Sequence, residues 1–163
     1  MIRNNFRAII LSAVVLLMLT VVSCDPTKKL QKQENEDIQA YLAQNSNLNF
    51  VKQPSGLYYL EVIAGTGISP VRNDSAYVKY TGMFLNGSIF DSNVSSGKLY
   101  GFIVGQNITG FDEGVTLMKA GGKSTLLLPS KLAYGATGNS GISGFTPLLF
   151  EIELVKTVPK TWK

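Results

Sequence analysis

Ten aromatic side chains fall between residues 77 and 150: Tyr77, Tyr80, Phe84, Phe90, Tyr100, Phe102, Phe111, Tyr134, Phe145 and Phe150. On strands such rings ordinarily fill a core, where their large apolar area leaves water. Gathered around a cleft, they would instead make an apolar binding surface. Spacing alone leaves both readings open. The residues missing from the chain narrow the chemistry further. There is no histidine, which excludes Ser-His-Asp and Cys-His catalysis and His-ligated metal sites. There is one cysteine, Cys24, so neither an intrachain disulfide nor a multi-cysteine metal site can form.

One short motif invites a different chemistry. Residues 120–125 read AGGKST, which suggests a phosphate loop. That loop needs a glycine five residues before Gly122, where Leu117 stands. It also runs from strand to helix, and here a helix precedes and a strand follows. The segment reads as a tight turn, and no cofactor is expected. Triplets such as Asn93-Val94-Ser95 fit glycosylation acceptors, but such triplets are frequent by chance and carry little information.

The elements that must position the rings are mostly strands. Tyr58, Leu60 and Val62 share one face, with Glu61 on the other. Val78, Tyr80 and Phe84 alternate with Tyr77, Lys79 and Thr81, and Tyr100, Phe102 and Val104 form a third set. Residues 124–128 are a short apolar run. Leu148, Phe150, Ile152 and Leu154 alternate with Glu151 and Glu153, the pattern of a half-buried antiparallel strand. Turns such as Asn86-Gly87 separate the runs. One helix interrupts them. Thr109 and Asp112 have the spacing of a capping box, Phe111, Val115 and Met118 mark one face, and Gly121-Gly122 ends it. The layout is α+β, with one central helix packed on antiparallel strands.

Upstream the composition changes twice. Residues 25–37 are polar and read as a tether. Ile38, Tyr41 and Leu42, at i, i+3 and i+4, predict a short amphipathic helix from about 34 to 45. Its apolar stripe suits docking on the domain better than pairing with another chain. At the start of the chain, Arg3 and Arg7 precede Ala8 to Val22, a 15-residue run without charge. As a helix it would span roughly 22 Å, short of the ~30 Å hydrocarbon core of a bilayer. It therefore suits an export signal better than a membrane span. The run ends in Val21-Val22-Ser23-Cys24, which resembles the lipobox of bacterial lipoproteins, with the Cys24 thiol as the site of lipid attachment.

The aromatic positions sit in a particular setting. Val78-Lys79-Tyr80-Thr81-Gly82 is followed by Ile89-Phe90-Asp91-Ser92, then Gly110-Phe111-Asp112-Glu113-Gly114-Val115, Leu128-Pro129-Ser130, Ala133-Tyr134-Gly135 and Pro147-Leu148-Leu149-Phe150-Glu151-Ile152-Glu153-Leu154. In this order and at these intervals the pieces resemble the FKBP-type peptidyl-prolyl cis-trans isomerase domain over about residues 57–157. The resemblance implies an antiparallel β half-barrel wrapped around one short α-helix, with an aromatic pocket between them. It implies Tyr80, Asp91 and Tyr134 as catalytic residues, Tyr134 donating its hydroxyl to a ligand carbonyl. It implies Phe90, Tyr100, Ile108, Phe111, Ile142 and Phe150 as substrate-binding residues, Ile108 through its backbone N–H. Proline-containing polypeptides are the expected clients, and macrolides a possible ligand.

Three features depart from the family pattern. Phe111 stands where Trp is usual, Gly105-Gln106-Asn107-Ile108 is shorter and places a polar Asn107 at an apolar position, and loop 139–146 lacks an Ile-Pro-Pro run. The expected organisation is a signal peptide over 1–23, a tether and helix over 24–47 and the isomerase domain over 48–163. Membrane attachment through the lipid anchor would hold the domain in the bacterial cell envelope. Without Arg3 and Arg7, 15 basic residues become 13 against 11 acids, a net charge of +2. That is too little to argue for nucleic acid. The alternative to an isomerase is a binding module or chaperone subunit of an envelope complex on the same fold. Cys24→Ala should abolish incorporation of labelled fatty acid into the chain; a wild type that takes up no label would remove the lipid-anchor reading.

Overall fold

A computed structural model of the protein describes residues 26–161; the segment read as an export signal, with Cys24, and Trp162 at the other end lie outside the described residues. Seven strands form one antiparallel sheet: β1 (Val51–Lys52), β2 (Tyr58–Ile63), β3 (Ser75–Phe84), β4 (Ile89–Ser92), β5 (Tyr100–Ile103), β6 (Gly122–Leu128) and β7 (Leu148–Val158). Two α-helices accompany them, α1 (Pro26–Gln44) and α2 (Thr109–Thr116), with a 3-10 turn at Ser130–Leu132. The strand order is β1-β2-β6-β7-β3-β4, with β5 also paired to β3. The sheet wraps α2 as a half-barrel, the α+β layout expected from the sequence.

β3 organises one end of the sheet. One edge pairs with β7 from Ser75↔Val158 to Phe84↔Leu148. The other edge is shared, with β5 against residues 75–78 and β4 against residues 81–83. Asn93 fills the gap between the two partners. Its Oδ1 accepts from the Tyr80 N–H at 2.7 Å, and its Nδ2 donates to the carbonyls of Val78 at 3.0 Å and Lys98 at 2.9 Å. A side chain thus satisfies backbone groups that no strand reaches. The β3–β4 hairpin turns through Asn86-Gly87, where Gly87 takes a φ of 85° that favours glycine.

Alternation along the strands feeds two cores. Tyr59, Val78, Leu126, Leu128, Leu148, Phe150, Ile152 and Leu154 pack with Phe111, Val115 and Met118 of the α2 segment. Tyr58, Leu127 and Leu149 point the other way, against Ile38 of α1, with Tyr41, Leu42 and Phe50 beside them. This accounts for the unbroken run Leu126-Leu127-Leu128, in which all three side chains are fully buried. On β2, Tyr59 packs in the core with α2 and Tyr58 in the core with α1, while Val62, further along the Tyr58 face, is 58% exposed. A helix covers the second face only near residue 58, so neighbours of opposite orientation are both buried and the period-2 signal is lost.

α1 is longer than the expected helix. It begins at Pro26, so the polar segment read as a tether is helical. Proline suits a first turn because its missing N–H would have no helical partner there. Lys, Gln and Glu then propagate the helix at little cost, helped by a Lys32–Glu36 ion pair at 3.5 Å and a Gln33–Asp37 hydrogen bond at 2.9 Å. The expected stripe docks on the sheet: Ile38 is buried, and Tyr41 and Leu42 are half-buried.

The start of α2 also differs from expectation. The N-cap is Ile108, in extended conformation and without a side-chain cap, so Thr109 is the first helical residue rather than the cap. Asp112 instead reaches back to accept from the Asn107 N–H at 2.9 Å. α2 lies very close to β6. A Cβ on Gly114 would fall 2.2 Å from Leu126 Cδ1, and one on Gly110 would fall 2.7 Å from Leu128 Cγ. Gly114→Ala would gain up to ~1 kcal/mol of helix propensity but overpack a filled core at about 1–3 kcal/mol. The expected net result is a lower urea midpoint with an unchanged m-value; an unchanged or higher midpoint would show that the helix can shift away freely.

Candidate functional site

Phe111 opens the buried face of α2 and is 4% exposed. Three rings meet it edge-on or nearly so: Phe150 of β7 at 5.3 Å between centroids, Phe102 of β5 at 5.6 Å and Tyr80 of β3 at 6.0 Å. Edge-to-face pairs of this kind are favoured because a ring's positive edge meets another's negative face. Phe90 of β4 leans on Phe150 at 5.7 Å, and Tyr100 of β5 on Tyr80 at 5.6 Å. Phe90 fits only because residue 82 is glycine, since a Cβ there would lie 2.6 Å from Phe90 Cζ.

These rings surround a cavity of about 200 Å³, lined by Tyr80, Phe90, Asp91, Tyr100, Asn107, Ile108, Phe111, Tyr134 and Phe150. Eight of the nine side chains expected from the sequence therefore meet around one space. The exception is Ile142. It is buried in the same core but does not line the cavity, because the 139–146 loop closes on itself through reciprocal Asn139–Ile142 backbone hydrogen bonds of 2.8 and 2.9 Å. Asn107 is the lining residue that sequence reasoning treated only as a departure. Its Oδ1 accepts from the Tyr100 hydroxyl at 2.9 Å, so a polar rim residue finds a partner on the facing strand. Phe102 lies outside the cavity but stacks on Tyr100 at 5.3 Å and backs Phe111. Its period-2 spacing from Tyr100 was the available signal.

The polar groups lie at the rim. The Tyr80 hydroxyl donates to Asp91 Oδ2 at 2.6 Å, with Asp91 itself exposed. Tyr134 follows the 3-10 turn and is half-buried. Among the described residues, no backbone hydrogen bond of a turn or cap has the Ile108 N–H as its donor, while its carbonyl accepts from Phe111 and Asp112. A helix N-terminus normally leaves such donors for other partners. The cavity thus combines an apolar floor with a rim that includes Ile108, Tyr134 and the hydrogen-bonded Asp91 carboxylate. It offers no strong nucleophile, and its geometry suits holding a compact apolar group between two carbonyls.

Burial raises the Tyr80 hydroxyl well above the usual phenol range, and the hydrogen bond to Asp91 adds to the shift. A group with a raised folded pKa contributes stability that is complete below its unfolded value and is lost as pH rises above it. The wild-type urea midpoint should therefore fall more steeply from about pH 9 to about pH 11 than that of Tyr80→Phe, given a free tyrosine pKa of ~10. Equal slopes for the two proteins would contradict a protonated, Asp91-bound phenol.

Comparison with known proteins agrees with this geometry. The family model described as FKBP-type peptidyl-prolyl cis-trans isomerase matches residues 67–155. The chain is 39% identical over 138 residues to the isomerase FkpA of Aeromonas hydrophila, covering 84% of this chain and 50% of that one. It is 36% identical over 134 residues to the outer membrane protein MIP of Legionella longbeachae, covering 82% and 58%. The crystal structure of a peptidyl-prolyl cis-trans isomerase from Pseudomonas syringae superposes with a TM-score of 0.73 at 31% identity, covering 84% of this chain and 99% of that one. The chain spans about half the length of these FkpA and MIP relatives. The matched family model and the identity to FkpA lead to one assignment: this chain belongs to the FKBP-type peptidyl-prolyl cis-trans isomerase family.

Proposed function

We propose that the protein catalyses cis-trans isomerisation of X-Pro bonds in exported polypeptides and so assists their folding in the cell envelope. The observation that carries this reading is the aromatic cavity floored by Phe111, with Ile108 and Tyr134 among its lining residues. Isomerisation breaks amide resonance, a barrier of ~18–20 kcal/mol for an ordinary peptide bond. Unaided, X-Pro bonds take tens to hundreds of seconds. A planar amide is more dipolar than a twisted one. An apolar pocket therefore disfavours the planar ground state relative to the twisted transition state, and neither nucleophile nor metal is required.

In this reading Phe111, Phe90, Tyr100 and Phe150 hold the proline ring, with Ile142 supporting the wall from behind. The Ile108 N–H and the Tyr134 hydroxyl fix the flanking carbonyls. Tyr80 holds Asp91 at the rim, where the carboxylate orients the pocket's dipoles. The envelope location rests on the signal segment and Cys24, and a relative named as an outer membrane protein supports it. Among the described residues no helix is long and apolar enough to cross a membrane; in this reading attachment is through lipid on Cys24. A second reading, a binding module with little catalysis, is favoured by one observation. Asn107 occupies the rim beside Ile108, and its Nδ2 is buried without a partner, a costly arrangement for a tightly closing apolar pocket.

A protease-coupled assay on an X-Pro peptide separates the two. The chain from Pro26 onward should accelerate cis-to-trans conversion, with a preference for a bulky apolar X. Replacing Asp91 and Tyr134 together should lower the rate while leaving the fold intact. A folded wild type without acceleration supports the binding module. Macrolides that present a pipecolinyl ring should compete with proline peptides. Phe111→Trp should tighten their binding by up to about tenfold, since ~1.4 kcal/mol is a factor of ten and the larger ring adds buried area. If the new indole responds to neither ligand, Phe111 does not floor the binding pocket.

A further inference from the structure

Glu34 lies on α1, far in sequence from every residue of the site. It is 9% exposed, one turn before Ile38 on the docked stripe. Its two carboxylate oxygens converge on one residue. One accepts from the Ser130 N–H, and the other accepts from the Ser130 hydroxyl at 2.9 Å. Ser130 in turn frames Tyr134. Its carbonyl accepts from the N–H groups of Ala133 and Gly135, each at 2.8 Å, so Tyr134 is bracketed by backbone tied to Ser130. Tyr134 lines the aromatic cavity, whereas Glu34 and Ser130 line a separate cleft of about 510 Å³ between α1 and the domain.

A carboxylate is an expensive means of gluing a helix to a sheet. Burying it costs free energy that an apolar side chain of similar size would not. Two charge-assisted hydrogen bonds to one serine offset that cost and fix the serine's direction. On the isomerase reading above, we propose that Glu34 is a positioning residue for Tyr134, and that α1 is therefore a working part of the active site rather than a spacer. The helix holds Ser130, Ser130 holds the turn, and the turn aims the Tyr134 hydroxyl at the ligand carbonyl. Misplacement of such a group by about 1 Å can lower a rate up to ~10²-fold.

The test uses the full chain and measures kcat/KM on an X-Pro peptide for wild type, Glu34→Gln, Glu34→Ala and Ser130→Ala, and for each again with Tyr134→Phe. Urea midpoints establish that each variant is folded. Glu34→Ala should lower kcat/KM roughly fivefold or more. Glu34→Gln should restore it to within about twofold, because the amide oxygen still accepts from the Ser130 N–H and its NH₂ can donate to the hydroxyl. In the Tyr134→Phe background the loss should vanish, since residues acting through one another are not additive. A loss that persists undiminished without the Tyr134 hydroxyl would mark a merely structural role and overturn the proposal. So would folded Glu34→Ala and Ser130→Ala variants with wild-type rates. If Glu34→Ala does not fold, Ser130→Ala carries the same cycle, because it removes one of the two bonds and keeps the carboxylate. A wild type that does not accelerate the peptide overturns the isomerase reading and this proposal together; an active wild type with insensitive variants overturns this proposal alone.

Discussion

The close seat of α2 on β6 is the constraint on which the site depends. Two glycines one turn apart, Gly110 and Gly114, face Leu128 and Leu126 across distances that would not admit a methyl group. Only this approach brings Phe111, at the first turn, within ring contact of β3, β5 and β7 at once. Glycine in a helix costs about 1 kcal/mol relative to alanine. Here the cost is offset by the burial of Val115 and Met118 beneath the wrapped sheet. The floor ring is therefore part of the core before it is part of the pocket, which keeps the cavity apolar and its walls stiff.

Around that floor, polarity is confined to the rim and is mostly paired. Tyr80 is committed to Asp91, and Tyr100 to Asn107. Paired groups at the edge of a low-dielectric space keep fixed dipoles without adding free charge inside it. On the proposed function, such a pocket distinguishes a planar, dipolar amide from a twisted one by keeping water away from it. β3 carries much of this burden. Its backbone between β4 and β5 is tied by Asn93, and Tyr80 sits at that tie.

Helices pack on both faces of the sheet, on the outer one over only part of it, and this separates two kinds of contact. The inner face meets α2 and makes the pocket. The outer face meets α1 through Ile38, Tyr58, Leu127 and Leu149. These contacts share strands, because alternate residues of β6 and β7 serve opposite cores. The turn after β6 joins the two layers, since Ser130 faces α1 while Tyr134, four residues on, faces the pocket.

Five of the seven strands, the face of α2 and most of the pocket were legible in the sequence, because those features are periodic or come as short motifs in fixed order; the two-residue β1 and the four-residue β4 show no period. The alternation of Leu148 to Leu154 against Glu151 and Glu153, and the spacing of Phe111, Val115 and Met118, hold whatever the rest of the chain does. Tertiary structure decided what periodicity cannot encode. Tyr58 and Tyr59 are both buried because two different elements cover opposite faces of the same strand. Ile142 drops out of the cavity because its loop hydrogen-bonds to itself. Thr109 fails to cap α2 because the chain enters through extended Ile108. Asn93 reaches Val78 and Tyr80, and Glu34 reaches Ser130, across gaps of 13 to 96 residues. A lone polar residue carries no periodic signal, and only the packed chain shows which backbone groups it must satisfy.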